Sequence, residues 1–294
     1  MKKIVLFLSL ISSGLFSYAQ KEKIYTSLDE ALKNPSEVFI LSLTNLKLKD
    51  IPESITLLPN LTNLNLAGNK LTSVPESITR LEKLKELNLS FNKFNTIPET
   101  VTRLINLAEL DLSNNHVTFL PESITKLINL NRLYLNNNKL TSLPDHISRL
   151  VNLSEIYLYG NLLRSIPESI NKLSNLTEIG LGGNLLTTIP ESMDKLVHLR
   201  YIALPYNQLT VLPGCITRLT ALIVLDLNGN KLSTLPETIS DLSALAELYL
   251  ESNQLSSLPE SLIKLNKLTI INLKKNPSLR LSPSVKSFIE NKKT

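Results

Sequence analysis

The sequence predicts an α/β solenoid: an arc, or horseshoe, of stacked coils with a parallel β-sheet on its concave side and short helical or 3₁₀ arms on its convex side. Three observations predict it. The chain repeats itself every 23 residues, with Leu at positions 43, 66, 89, 112, 135, 158, 181, 204, 227, 250 and 273. Within each repeat the spacing of apolar residues changes from two to three. The composition is 43% hydrophobic but only 5% aromatic, which suits an aliphatic core of Leu and Ile.

In chain order, residues 1–19 come first. MKKIVLFLSLISSGLFSYAQ places two lysines before an apolar run and ends in small residues, the layout of a signal peptide cut before Gln20. The run is short of a bilayer span and no second one follows, so export without stable membrane insertion is expected. Residues 20–40 read as an N-terminal cap, in which Ser27 and Glu30 form a capping box for a short helix.

Residues 41–278 hold about eleven coils. In NLNLA, residues 63–67, Leu64 and Leu66 point to one face while Asn63, Asn65 and Ala67 point to the other, so each coil opens with a short strand. The return arm spaces Ile78, Leu81 and Leu84 three apart, and Pro75 stands where a first helical residue would. Pairs such as Glu76/Arg80, Glu122/Lys126 and Glu168/Lys172 lie four apart in the favourable order and read as scaffold. One coil cannot bury its Leu face alone, so the coils stack, with strands about 4.8 Å apart.

Between strand and arm stand Asn69, Asn92, Asn115, Asn138, Asn161, Asn184, Asn207, Asn230, Asn253 and Asn276. A buried amide has donors and an acceptor enough to satisfy turn backbone in its own and the neighbouring coil, so this column reads as a structural ladder. At its front end Leu46 replaces the Asn. Residues 279–294 read as a C-terminal cap helix, with Pro283 in its first turn, and a basic tail.

The unit LxxLxLxxNxLxxLPxxIxxLxx, seen whole from Leu61 to Lys83, resembles the leucine-rich repeat proteins. Its LPxxI form is similar to the class shared by Ras-scaffold, plant intracellular and many bacterial repeat proteins. The resemblance implies a concave binding face and no catalytic residues. It names no partner, since one scaffold serves many functions.

Signal about a partner is therefore sought in the outward slots of the strands. Tyr157 and Tyr159 of one coil are replaced by Gly180 and Gly182 in the next. Tyr134, Tyr157 and Tyr159 gather on one side of that step, Tyr201 and Tyr206 on the other, and six of the 8 tyrosines lie in or beside these columns. The expected surface is a shallow trough with aromatic walls, over whose glycine floor a partner approaches the backbone. Arg132, Glu155 and Glu178 border it, and Glu86, Glu109 and Asp111 extend an acidic flank that would steer basic partners. Tyrosines that merely stack along a ladder, and glycines that merely drift, are the bland alternative.

Charge and cysteine set further bounds. The formal net charge is +5; removing Lys2 and Lys3 leaves +3, and residues 264–294 carry +7, so residues 20–263 come to −4. The basic end lacks aromatic interleaving and reads as a solvated cap, with no nucleic-acid partner expected. The one cysteine, Cys215, excludes an internal disulfide and reads as a tolerated surface thiol.

No catalytic constellation is visible. His116, His146 and His198 occupy different slots of the repeat and read as solitary surface residues, and no metal or cofactor is expected. GLGGN lies in a strand and turn, not in a phosphate loop. The expectation is a non-enzymatic scaffold for a protein or peptide, exported to the surface, periplasm or medium. A glycan or cell-wall polymer at the same face, or a structural, self-assembling role, are the alternatives.

Overall fold

A computed structural model describes residues 23–293, so the segment read as an export signal lies outside the described residues. These residues form one open sheet of 12 parallel strands in chain order. The strands are β1 (Ile24–Tyr25), β2 (Ile40–Ser42), β3 (Asn63–Asn65), β4 (Glu86–Asn88), β5 (Glu109–Asp111), β6 (Arg132–Tyr134), β7 (Glu155–Tyr157), β8 (Glu178–Gly180), β9 (Tyr201–Ala203), β10 (Val224–Asp226), β11 (Glu247–Tyr249) and β12 (Ile270–Asn272). The one beyond the eleven repeats is β1, which pairs with β2 at Ile24 and Ile40.

Neighbouring strands are in register one repeat apart, Asn63 beside Glu86 and Arg132 beside Glu155. Each repeat's middle strand residue is buried and its flanking residues face outward, as the period of two requires. The strands are short because the chain must turn after each. In every coil the same turn slot is left-handed, from Asn45 to Lys275 at intervals of 23, with φ between 53° and 71°, and the first coil adds Lys47 at φ 59°. Gly, Asn, Ser or Lys fills most of these slots, but Phe91 and Tyr206 occupy two of them.

The ladder asparagines are buried behind this turn. Asn138 is representative: its Nδ2 donates to the carbonyls of Leu112 at 2.9 Å and Leu135 at 3.1 Å, and its Oδ1 accepts from Val117 N at 2.9 Å. Asn69 repeats this one end earlier, accepting from both Leu46 N and Leu48 N, and Asn276 repeats it at the other. Each amide thereby ties its own turn to the preceding coil.

A second asparagine series, not singled out in the sequence, runs along the opposite turn. Asn60, Asn106, Asn129, Asn152 and Asn175 donate through Nδ2 to the carbonyls of Ser36, Glu82, Ile105, Ile128 and Val151 of the coil before. Lys83 interrupts the series, reaching Asn60 Oδ1 at 2.6 Å, and His198 follows its end.

The convex arms are 3₁₀ helices, for example Glu76–Arg80 and Glu122–Lys126. Two expectations about them are corrected. Pro75 lies one residue earlier than predicted, extended at φ −68° and ψ 154°, where its carbonyl accepts from Ile78 N. The pairs four apart do not close into ion pairs among the described residues. A 3₁₀ helix brings residues three apart into line, and the basic groups reach back across coils instead. Arg103 meets Glu76 at 2.5 Å and Arg149 meets Glu122 at 3.4 Å.

The arm Gly214–Thr217 is α-helical, and it buries Cys215, contrary to the expected surface thiol. The thiol faces the Pro190 carbonyl of the preceding coil at 3.6 Å, in the slot where Ser192 contacts Glu168 O, and burial pushes its pKa up to about 11. His116 and His198 are exposed, but His146 is half-buried.

Leu and Ile from every coil form one continuous core, closed at each end by a helix. The first, α1 (Leu28–Ala31), is capped by Ser27, whose Oγ accepts from Glu30 N at 3.4 Å. Glu30 turns its carboxylate to Lys23 at 3.6 Å. Gly214–Thr217 is α2, and the last helix, α3 (Pro283–Glu290), carries Ser282 as N-cap and buries Val285 and Ile289. After it the chain returns to the sheet: Lys293 N donates to Thr269 O and Lys293 O accepts from Ile271 N, covering the edge of β12. No helix among the described residues is long and apolar enough to cross a membrane.

Candidate functional site

The outward slots are less free than they look in the sequence. At the last residue of the strand, Asn65, Asn88, Asp111, Asp226 and Asn272 each accept, through Oδ1, from the backbone N–H two residues on, at 2.8 to 3.2 Å. These side chains cap the turn that follows the strand. The signal was present as Asn or Asp two residues before the turn, and it removes these positions from the list of unexplained outward residues.

Four consecutive strands abandon this cap, placing Tyr134, Tyr157, Gly180 and Ala203 in its slot. Part of its work passes to Asn136, whose Oδ1 accepts from Tyr159 N of the next coil at 2.9 Å. Tyr134 and Tyr157 in two of the freed slots join Tyr159 and Tyr201 beside them in an aromatic array. The rings of Tyr134 and Tyr157 stack with centroids 5.3 Å apart and planes 1° from parallel. Tyr157 and Tyr159 follow at 6.2 Å and 17°. Tyr159 Oη and Tyr201 Oη lie 3.3 Å apart, so the array reaches β9.

The predicted open trough is not there. A Cβ built on Gly180 would lie 2.2 Å from Tyr159 Cε2 and 2.8 Å from Tyr157 Cδ1. One on Gly182 would meet Tyr159 Cδ1 and Pro205 Cγ, each at 2.8 Å. Both glycines are buried. They are required because the Tyr159 ring lies over them, and the space they vacate is already filled from within. Pro205 is thus part of the covered floor. The result is a closed aromatic pavement over β6 to β9. Tyr206 stands apart from it, 70% exposed in the adjoining turn with its ring against Gly229.

Carboxylates border the pavement. Tyr157 Oη donates to Glu178 Oε2, and Tyr134 Oη faces Glu155 Oε2 at 3.5 Å. Burial, then Glu109 and Glu155, pushes the Tyr134 phenol up to about 12, and Tyr157 and Tyr159 are raised too, each chiefly by burial. The Glu155 carboxyl is also raised, first by burial and then by Glu178. Arg132 is committed to Glu109, with Nε 2.7 Å and Nη2 2.6 Å from Oε2. Tyr249, two strands further on, donates to Glu247 at 2.7 Å. No group of His, Cys, Asp and Glu suited to a metal ion occurs among the described residues.

Comparisons with known proteins bear on the repeats. A family model described as a leucine rich repeat matches residues 36–94, 59–117, 105–163 and 161–209, and one described as a leucine-rich repeat region matches 186–286. A comparison with curated proteins finds no match. Among solved structures, a leucine-rich repeat protein of Leptospira interrogans is 26% identical, with 92% of this chain and 99% of that one covered and a TM-score of 0.56. The repeat ectodomain of a plant membrane receptor kinase of Arabidopsis thaliana, solved with Casparian strip integrity factor 2, is 36% identical at a TM-score of 0.70. That match covers 84% of this chain and 30% of the receptor chain. A plant peptide hormone receptor in complex with its peptide is 28% identical over 92% of this chain and 45% of its own, at a TM-score of 0.74. The chain therefore spans less than half the length of either receptor chain.

Proposed function

We propose that this chain, which belongs to the leucine-rich repeat family, is an exported, non-enzymatic scaffold that holds a protein or peptide against the concave face over β6 to β9. One observation carries the reading. Four consecutive coils give up a side chain that caps their own turn, and an aromatic array built from Tyr134 and Tyr157 in two of those slots and from Tyr159 and Tyr201 beside them covers this stretch of the sheet. The coils on either side, with Asp111 and Asp226, keep the cap, and beyond them, from β3 to β12, only Tyr249 of β11 departs from it. Tyrosine supplies large, rigid contact area with a polar tip, and hot spots favour central aromatics ringed by polar groups. Two of the similar structures are plant receptors, one described as a peptide hormone receptor and one solved with Casparian strip integrity factor 2, which supports the same class of partner here. Export rests on the layout of residues 1–19.

The test is a crosslinked pull-down from envelope extract and from surface glycans with residues 20–294. Beside it runs a variant carrying Tyr134→Ala, Tyr157→Ala, Tyr159→Ala and Tyr201→Ala, after circular dichroism establishes that the two fold alike. A protein captured only by the unmodified chain is the expected result. Equal capture by both would remove the site from this face.

A further inference from the structure

The concave face is a sheet face without a partner, and its charge is unbalanced. Of the outward carboxylates on the strands, Glu109 is paired with Arg132, and just past β11 Glu251 is paired with Lys275 at 2.8 Å. Among the described residues Glu86, Asp111, Glu155, Glu178, Asp226 and Glu247 close no ion pair. Two contacts are like-charged in register: Glu86 beside Glu109, and Glu155 beside Glu178. Directly adjacent like charges are unfavourable in a sheet. At Glu86 the strain is eased by Asn63, whose Nδ2 donates to the carboxylate, and by the Glu109 pairing to Arg132. At Glu155 and Glu178 no ion pair closes: tyrosine hydroxyls orient the carboxylates without neutralising them, and Arg132, beside Glu155 in register, spends its guanidinium on Glu109 and only partly offsets the Glu155 charge.

From this we infer that the segment held on the concave face is cationic: an extended stretch of polypeptide whose Lys or Arg side chains meet Glu155 and Glu178 while its apolar atoms lie on the tyrosine rings. The inference deepens the concave-face reading and rests on it. A cation here relieves a repulsion present in the free protein and meets two carboxylates beside aromatic groups that exclude water, where charge pairs are stronger than in bulk solvent. The ring edges and faces of the array add a cation–π component. Arg132 sets the boundary, since it turns the adjoining position on β6 positive and places the cationic side chains toward β7 and β8. The raised Glu155 carboxyl agrees: burial first, and then the neighbouring Glu178, opposes its negative charge.

The test uses fluorescence anisotropy with two labelled probe peptides, one alternating Lys and Ser and one alternating Glu and Ser, against residues 20–294. The Lys-Ser peptide is expected to bind and to release as salt rises to about 0.3 M, where the screening length is well under 10 Å. Glu155→Gln with Glu178→Gln is expected to weaken it about tenfold, whereas Glu122→Gln with Glu168→Gln on the convex arms, an equal change in net charge, leaves it within about twofold. Equal losses from both pairs, preference for the Glu-Ser peptide, or no binding of the Lys-Ser peptide would each overturn the inference. These failures are separable from that of the site itself. A protein captured by the unmodified chain and lost from the tyrosine variant, with the Lys-Ser peptide unbound, keeps the concave site and removes only its cationic preference.

Discussion

At Glu155, opposing influences compete within one side chain. Burial and the neighbouring Glu178 oppose its charge, while Arg132 and the Tyr134 hydroxyl favour it, and the first two win, so the carboxyl sits above its ordinary value of 4.5. Folding therefore favours the protonated form. The contribution to stability is fully present below the carboxylate pKa of the unfolded chain and is lost as pH rises through the raised value of the folded one. Glu155→Gln keeps the shape and an acceptor for Tyr134 but never ionises. It is expected to be more stable than the parent at pH 7 by about 0.5 kcal/mol, the order of one cross-strand like-charge contact, and no more stable below about pH 4. Urea denaturation at both pH values checks this. A gain that persists unchanged in acid would show that like-charge repulsion is not its cause.

On the scale of the strand and its turn, Tyr159 and the two glycines it covers form one unit. Gly180→Ala must push the Tyr159 ring off the sheet, because the added methyl falls 2.2 Å from Cε2, and the ring loses its Tyr157 neighbour and its meeting with Tyr201. The cost is expected near 1 kcal/mol, the order of one aromatic pair. In a Tyr159→Ala background the 2.2 Å contact is gone and the nearest remaining atom is Tyr157 Cδ1 at 2.8 Å, so the cost should fall by more than half. A double-mutant cycle in thermal stability measures this, and additive costs would mean that the ring does not rest on Gly180. The same unit marks the limit of what was legible. Period, strand phase, ladder and caps could be read because each is set by residues within one coil or by strict recurrence. That Tyr159 of one coil fills the gap above Gly180 and Gly182 of the next could not, since it depends on the lean of a side chain across coils. The pairs such as Glu76/Arg80 failed for a related reason: their spacing suits an α-helix, and the arm is 3₁₀.

For the whole molecule, a solenoid's stability is a sum over neighbouring coils, so its ends decide whether the stack stays single. At the C-terminal end three devices act together. Helix α3 covers the core with Val285 and Ile289, the Lys293 backbone occupies the edge of β12, and basic residues crowd the surface around it. Ending the chain after residue 278 removes the first two, together with Arg280, Lys286, Lys292 and Lys293 of the third, and leaves the buried side chains of Leu268 and Ile271 and a row of open N–H and C=O groups facing solvent. The truncated protein is expected to keep the protection of β3 to β9 in hydrogen exchange, because those strands touch only their neighbours, while β11 and β12 lose theirs. It should also self-associate with concentration through the uncovered end, which sedimentation velocity detects. Uniform loss of protection along the chain would show that the coils unfold as one body, and a truncated monomer with β12 still protected would show that the edge is guarded by its own charges and not by the cap.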